Sequence, residues 1–199
     1  IQTPLSLVLL PQFPVATVIG SLKIPAFSGT ALATSQYLKK VKIEWKFLTI
    51  LAIVAFISAF LGSQLLTIVS NEFMKPVLLV ILIVLAIYTL LKKDFGQAKE
   101  KKIPYHTAII NGCIVSVIVG FYDGFIGPAT GTFFIMGFVT LLGFDFLKAN
   151  THAKLINLAT NLGSICLFLI KGKIIWAIAI PMAICNALGG YCGAKLAIN

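Results

Sequence analysis

Long runs without a charged side chain point this chain to a membrane fold. The clearest runs cover residues 47–69 and 76–91, and both are rich in Leu, Ile, Val, Ala and Phe. A helix needs about 20 apolar residues to cross a bilayer core, whereas membrane β-strands alternate apolar and polar residues. The chain is 59% hydrophobic and only 11% charged, while a soluble domain has about a quarter of its residues charged. The sequence therefore predicts an all-α polytopic membrane protein.

An internal repeat divides the chain into two parts. Lys23 and Lys154 lie 131 residues apart, each within an otherwise apolar stretch. The same shift, without a gap, superimposes Lys40 on Lys171, Lys42 on Lys173, Trp45 on Trp176, Gly62 on Gly193 and Leu65 on Leu196. Repeated halves with polar residues near the membrane midplane are typical of secondary transporters. We expect a first repeat at 1–91, a basic linker at 92–104 and a second repeat at 105–199.

The lysines also predict that the two repeats have opposite orientations. Of the 16 basic residues that give the net charge of +10, four lie in the loop at 39–46 and five in the linker. Short Lys-rich loops stay in the cytoplasm, whereas nucleic-acid binding needs a basic face on a soluble fold. Three apolar segments separate the linker from Lys171 and Lys173, which places these two lysines on the other side. An odd number of crossings predicts an inverted-topology repeat in the cell's inner membrane.

The two lysines in apolar surroundings are the first candidates for chemistry. An ammonium within hydrocarbon has to face a polar cavity, a partner or a ligand, although Lys23 has a second interpretation in which its side chain extends to the interface. Lys154 belongs to a helical stripe with Asn150, Asn157 and Asn161, at steps of four, three and four residues. Such a stripe predicts either the lining of a substrate path or amide contacts between helices. Two cations in an apolar interior favour an anionic cargo.

A glycine-rich stretch at 120–132 predicts a break in the helices. Its four Gly and one Pro oppose a continuous helix, and irregular backbone at membrane depth has to line protein or water. Freed N–H groups at the start of the next helix would form an anion-binding end. We therefore assign Gly127, Thr130, Gly131 and Thr132 to the substrate site, with a plain loop outside the membrane as the alternative.

Asp123 and His152 are candidates for coupling protons to transport. We interpret Asp123 as a proton carrier, a salt-bridge partner of Lys154 or a helix cap. Histidine titrates near neutral pH, so His152 is either a proton-coupling group or a structural, hydrogen-bonded residue.

Signatures of cofactors and enzymes are absent from the sequence. The four Cys form no Cys-x-x-Cys pair, and the chain has two distant His and no phosphate-binding loop or hydrolase motif. We expect no metal, no cofactor and no catalytic residues.

Three stretches of the chain form a more specific pattern. They are GFYDGFIGPATGT at 120–132, LGFDFLKA at 142–149 and HAKLINLATN at 152–161. This pattern resembles the TauE/SafE sulfite exporter family of membrane permeases, although Leu22 stands at a usual amide and Ala129 at a usual glycine. The resemblance implies two inverted halves of about four helices each, with one helix lacking at each end of this chain. It also implies transport of sulfur-containing anions such as sulfite or sulfonates.

The sequence therefore predicts an anion permease that works by alternating access. The predicted substrate-binding residues are Lys23, Lys154, Asn157, Asn161, Gly127, Thr130, Gly131 and Thr132. If one lysine alone holds the anion, the surrounding asparagines favour Lys154. A passive anion channel and, less favoured, an intramembrane enzyme acting on lipid or quinone are the alternatives. The exact anion, the coupling ion, the direction of transport and the oligomeric state stay open at this point.

Overall fold

The computed structural model describes residues 2–91 and 103–198, with the backbone alone at some positions of the fourth helix. The described residues form eight α-helices: α1 (Gln2–Leu9), α2 (Val15–Tyr37), α3 (Trp45–Ile68), α4 (Asn71–Leu91), α5 (Tyr105–Phe125), α6 (Thr130–Leu142), α7 (Phe146–Ile170) and α8 (Trp176–Ile198). Most of the predicted basic linker, at 92–102, lies outside the described residues.

Five of the described helices, α2, α3, α5, α7 and α8, are long and apolar enough to cross a membrane. On α3 the side chains of Ile53, Ile57 and Leu61 are each more than half exposed, at the spacing of one helix face. An exposed apolar face of this kind suits lipid rather than water. The predicted all-α polytopic membrane protein is therefore confirmed.

The repeat-equivalent helices α2 and α7 run in opposite directions. Gly20, near the start of α2, lies against Phe168 near the end of α7, whereas Tyr37 at the end of α2 lies beside Lys154 in the first half of α7. The 131-residue shift also carries the first residue of α2 onto that of α7, and the first residue of α3 onto that of α8. The inverted-topology repeat is confirmed, while the exact boundaries of the two repeats and the linker stay a prediction.

Each repeat packs its helices mainly against those of the other repeat. α2 packs along α8, and the two helices start together where the N–H of Ile175 donates to Ser21 Oγ over 2.8 Å. α3 packs along α7, and these two start together where the rings of Phe47 and His152 meet edge to face. Both pairs are parallel. They are equivalent in the repeat, because the 131-residue shift carries α2 onto α7 and α3 onto α8. By contrast, α2 and α3 share few contacts although they are neighbours in sequence.

α5 and α6 form an antiparallel hairpin that begins and ends near the loop at 39–46, where Phe47 packs against Tyr105 and Phe144. Asn111 Nδ2 donates to the carbonyl oxygen of Leu141 over 2.9 Å, and the rings of Tyr122 and Phe133 pack edge to face, 5.3 Å apart. α6 has only 13 residues, too few to cross a bilayer core. Together with the turn before it, α6 is a short segment that enters the bundle and returns to the same end, and it follows the helix break that the sequence predicted.

The helix break is shorter than the glycine content predicted. α5 continues through Gly120 and Gly124, and only 126–129 departs from helical structure. A side chain at Gly124 would collide with the backbone of Ala59 on α3, so this glycine permits close packing of two helices rather than ending one. α2 is likewise a continuous helix, with Pro25 inside it.

Two apolar clusters lie at opposite ends of the bundle. One is formed by α3, α5, α6 and α7 and includes the fully buried rings of Phe134 and Phe138. The other is formed by α2, α3, α4 and α7 around Leu66 and Phe168. The polar residues Asn157 and Asn161 of α7 fall between Ile156, in the first cluster, and Phe168, in the second, so the candidate site lies between two apolar layers.

Candidate functional site

A buried ion pair joins the middle of α2 to the end of α5. Lys23 is 5% exposed; its Nζ lies 2.9 Å from Asp123 Oδ1 and also donates to the carbonyl oxygen of Asp123. The side chain thus ends at a partner from the other repeat, not at the membrane interface. One of the three interpretations of Asp123, a salt bridge to Lys154, is wrong, because α7 places that lysine beside Tyr37 instead.

The residues between α5 and α6 turn tightly around this ion pair. Gly127 has a φ of 93° and Ala129 a φ of 62°, in a region that suits glycine and strains alanine. Tyr122 Oη donates to the carbonyl oxygen of Pro128 over 2.7 Å and ties the turn to α5. A Cβ atom on Gly127 would lie only 3.3 Å from Lys23 Nζ. Glycine at this position therefore lets the ammonium approach the turn.

The first turn of α6 presents hydrogen-bonding groups beside the pair. Thr130 Oγ1 lies 2.8 Å from Asp123 Oδ1 and 2.6 Å from the carbonyl oxygen of Gly127. Within the described residues, the backbone N–H groups of Gly131 and Thr132 donate to no other backbone group, as expected for a helix start with its partial positive charge. The second carboxylate oxygen of Asp123, Oδ2, is buried and has no hydrogen-bond partner in the described part of the chain.

Two amides of α7 complete the polar surface. Asn161 is 2% exposed, and its Nδ2 lies 2.7 Å from the carbonyl oxygen and 3.1 Å from the Oδ1 of Asn157. Because the side-chain oxygen of Asn157 is engaged in this way, its NH2 group is directed away from Asn161. These amide bonds run along α7, so the alternative of amide contacts between helices is not observed for these two residues.

These groups enclose a cavity of about 280 Å³. Its lining consists of Thr3, Ile19, Leu22, Lys23, Ala26, Asp123, Ile126, Gly127, Ala129, Thr130, Gly131, Thr132, Asn157 and Asn161. Seven of the eight predicted substrate-binding residues are among them, together with Asp123. The volume lies just below the range of about 300–1,000 Å³ typical of small-molecule pockets, so the cavity suits a small ion. Sequence reasoning missed Thr3, which gave no signal, and Ala129, whose place in the glycine-rich motif could have revealed it.

Lys154 and His152 lie outside this cavity. Lys154 Nζ is 5.0 Å from the centre of the Tyr37 ring, a cation–π contact. His152 lines a separate cavity of about 410 Å³ near the basic loop. Its ring lies 5.0 Å from that of Phe144, and its Nδ1 is 2.8 Å from the carbonyl oxygen of Lys148. The two proton-coupling candidates, Asp123 and His152, are thus not brought together.

The arrangement is suited to binding an anion. An ammonium, a helix start and a side-chain amide come from three helices and meet at one cavity. Each is a hydrogen-bond donor, and the first two also favour negative charge. Within the residues that the structure describes, no group of three His, Cys, Asp or Glu side chains is placed to hold a metal ion.

Comparison with known proteins gives one family and several relatives. The family model described as "Sulfite exporter TauE/SafE" matches residues 1–199. "Probable membrane transporter protein ORF9" of Sinorhizobium sp is 33% identical over 190 residues, covering 96% of this chain and 72% of the relative. "Probable membrane transporter protein YfcA" of Escherichia coli strain K12 is 32% identical over 187 residues, covering 92% and 68%. A "Probable membrane transporter protein" of Haemophilus influenzae is 32% identical over 192 residues, covering 96% and 74%. No solved structure matches the chain.

Proposed function

The chain belongs to the TauE/SafE sulfite exporter family, and from this premise we propose that it is a permease for small sulfur oxyanions such as sulfite or sulfonates. Its relatives carry the name of membrane transporters, and its helices suit a multi-pass transporter. The observation that supports the choice of an anion is the Lys23 ammonium at a small cavity whose lining includes several hydrogen-bond donors. The proposed location is the cell's inner membrane, with the basic loops in the cytoplasm.

In the proposed complex, donors from three helices hold the oxygens of the anion. Lys23 supplies the full positive charge, and the N–H groups of Gly131 and Thr132 supply the positive end of α6. The NH2 group of Asn157 donates from α7, while Asn161 positions it by binding its side-chain oxygen. Hydrogen bonds to charged groups contribute about 1.5–3 kcal/mol each, enough for these few donors to select an oxyanion over a neutral solute.

The proposed transport cycle is alternating access. The parallel pairs α2–α8 and α3–α7 are equivalent under the inverted repeat, and the cavity is lined from both α2 and α7. Rocking of one pair against the other would open the cavity first to one side and then to the other.

Lys154 lies on α7 three residues before Asn157 and has no carboxylate partner in the described parts of the chain. We assign it to the path of the anion between the cavity and one side of the membrane.

Counterflow in proteoliposomes tests the proposal. Vesicles preloaded with unlabelled sulfite should accumulate labelled sulfite transiently above its outside concentration, because a carrier exchanges substrate across the membrane. A passive anion channel equilibrates the label without this overshoot. Absence of any protein-dependent sulfite, thiosulfate or sulfonate flux would overturn the proposal.

A matched pair of glycine variants links the flux to the cavity. Gly131 and Gly189 both lie in helices, and at both positions the space around an added Cβ atom is open. Gly131 lines the cavity, whereas Gly189 is on α8 outside it. Gly131→Leu should fill the cavity and abolish counterflow, and Gly189→Leu should leave it intact. Equal activity of the two variants would show that the anion does not pass through this cavity.

A further inference from the structure

We propose that the carboxylate of Asp123 occupies the place of the substrate anion at Lys23, so that an anion binds only when Asp123 takes up a proton. The inference rests on the proposed anion transport and adds the coupling ion to it. Asp123 then acts as a proton-dependent competitor of the substrate rather than as a remote proton relay.

The contacts of Lys23 support this competition. An ammonium has three N–H groups, and that of Lys23 donates to both the side-chain Oδ1 and the carbonyl oxygen of Asp123. The ion pair carries no net charge, and both of its side chains are buried. An anion that enters the cavity in this state meets a carboxylate beside Lys23, the one cation among the described residues of the lining. Two negative charges in contact with the same ammonium in a low dielectric repel each other strongly. The cavity therefore excludes anions while Asp123 is ionised.

The two oxygens of the Asp123 carboxylate differ in a way that favours protonation. Oδ1 lies 2.9 Å from Lys23 Nζ and 2.8 Å from Thr130 Oγ1. Oδ2 is buried and lacks a partner within the described residues, a rare condition for a carboxylate oxygen. A proton can therefore add to Oδ2 while the contacts of Oδ1 remain in place. The carboxylic acid is neutral, and the positive charge of Lys23 is then available to an anion.

Among the residues that the structure describes, no second cation lies beside Asp123 to take over the role of Lys23. Lys23 of α2 and Thr130 of α6 contact its carboxylate, with Tyr122 beside it on α5. The other polar groups nearby are Asn157 and Asn161 of α7, which line the same cavity, and Ser63 of α3, which donates to the carbonyl oxygen of Gly124. Of these groups, Lys23 alone is charged, and the Tyr122 hydroxyl donates elsewhere, to Pro128. Neutralisation of Asp123 thus changes the net charge at the cavity from zero to positive.

The step balances in atoms and charge. A proton from water forms an O–H bond at Asp123 Oδ2, and the anion takes the place of the lost negative charge next to Lys23. When the anion leaves, the proton dissociates and the ion pair forms again. Each anion is thereby transported with about one proton, so a singly charged anion moves without net charge.

The first test measures proton uptake on sulfite binding in weakly buffered detergent solution, with a pH-indicator dye. Sulfite itself titrates near neutral pH, but this contribution is common to the wild type and the Asp123→Asn protein. The wild type should take up about one more proton per bound sulfite than Asp123→Asn. Asp123→Asn should still bind sulfite, because the amide leaves Lys23 with its full positive charge. His152→Gln, at the other predicted proton-coupling residue, should behave as the wild type.

A second measurement does not depend on a folded variant. Infrared difference spectra of the wild type, recorded before and after sulfite addition, should show a new carbonyl-stretch band of a protonated carboxyl group. Sulfite binding without this band, equal proton uptake by the wild type and Asp123→Asn, or loss of sulfite binding in a folded Asp123→Asn protein would each overturn the inference alone. Failure of the wild type to bind sulfite at any pH would instead remove the proposed function on which it rests.

Discussion

The ammonium of Lys154 lies 5.0 Å from the ring centre of Tyr37, whereas its repeat partner Lys23 is paired with the carboxylate of Asp123. The two lysines are equivalent in sequence but have different neighbours. Lys23 lines the cavity, whereas Lys154 is outside the lining and lies over the ring of Tyr37. The internal symmetry therefore places two cations in the membrane but gives them unequal roles.

Replacement of each lysine should separate anion binding from anion transport. Lys23→Met is best made together with Asp123→Asn, because a buried carboxylate without its partner is strongly destabilising. Compared with Asp123→Asn alone, this double variant should raise the Kd for sulfite by about 10-fold to 100-fold, the loss expected for hydrogen bonds to an ionised donor. Lys154→Met should change the Kd less than about 3-fold and lower the counterflow rate. Calorimetry measures the Kd and counterflow measures the transport rate on the same preparations. A loss of affinity in Lys154→Met as large as that in the double variant would contradict the assignment of the binding role to Lys23.

Asn157 should matter more for affinity than the residue that positions it. Asn157→Ala removes the donor and should raise the Kd for sulfite by about 10-fold, whereas Asn161→Ala loosens the donor and should raise it by about 3-fold. Asn157→Asp places a negative charge at the cavity and should abolish binding when ionised. Asn111→Ala is the control, since Asn111 bonds to Leu141 in the α5–α6 hairpin outside the cavity. An equal effect of Asn111→Ala on affinity would indicate a structural cause for all four.

Ala129→Gly should stabilise the protein. The left-handed backbone at Ala129, with a φ of 62°, costs a residue with a Cβ atom about 1–2 kcal/mol relative to its ordinary conformation, and glycine avoids most of that strain. The thermal unfolding midpoint in detergent should rise by a few degrees. Ala52→Gly, within α3, is the opposite control and should lower stability by about 1 kcal/mol. A decrease in both variants would contradict the strained conformation.

Two adjacent glycines on α8 should respond in opposite ways to alanine. A Cβ atom on Gly190 would overlap the carbonyl oxygen of Gly29 on α2, whereas one on Gly189 meets open space. Gly190→Ala should therefore destabilise the protein by about 1–3 kcal/mol through overpacking of the α2–α8 contact. Gly189→Ala should be neutral or stabilising, by up to about 1 kcal/mol, because alanine favours helix. The thermal unfolding midpoints of the two variants measure this difference. Similar midpoints would show that α2 and α8 are not in close contact at Gly190.

Labelling of single cysteines should place Lys40 and its repeat equivalent Lys171 on opposite sides of the membrane. In a chain whose four native Cys are replaced by Ser, a membrane-impermeant maleimide added to intact cells should label Lys171→Cys and not Lys40→Cys. Permeabilised cells should label both, which controls for reactivity. Labelling of both sites in intact cells would reject the inverted orientation of the repeats.

The pattern along one helix predicted which of its residues share the face at the cavity, but contacts between helices did not follow from the sequence. The spacing of Asn157 and Asn161 placed both on one face of α7, and both line the cavity. Lys154 shares that face but misses the cavity, because helical side chains lean toward the N-terminal end and its long chain continues in that direction to Tyr37. The spacing of residues specifies a face, but not where a flexible four-carbon chain ends.

The pairing of Lys23 with Asp123 is the part of the site that could not be predicted from the sequence. The residues are 100 positions apart, and their meeting depends on how α2 of one repeat lies against α5 of the other. The glycines of α5 show a similar ambiguity. A high glycine content is compatible with a broken helix and with two closely packed helices, and Gly124 proved to be of the second kind since its neighbour is the backbone of α3.

The exchange of partners between the repeats has a consequence for biosynthesis. α2 packs mainly along α8, and α3 packs along α5 and α7, and all three of these partners are synthesised later than α2 and α3. The first half of the chain is therefore inserted into the membrane before the helices that stabilise it exist, and Lys23 enters the lipid before α5 delivers its counter-charge. The packing of α2 and α3 is therefore completed late, once α5, α7 and α8 have been inserted. The newly made first half would in that interval be a natural client for insertion chaperones and membrane proteases.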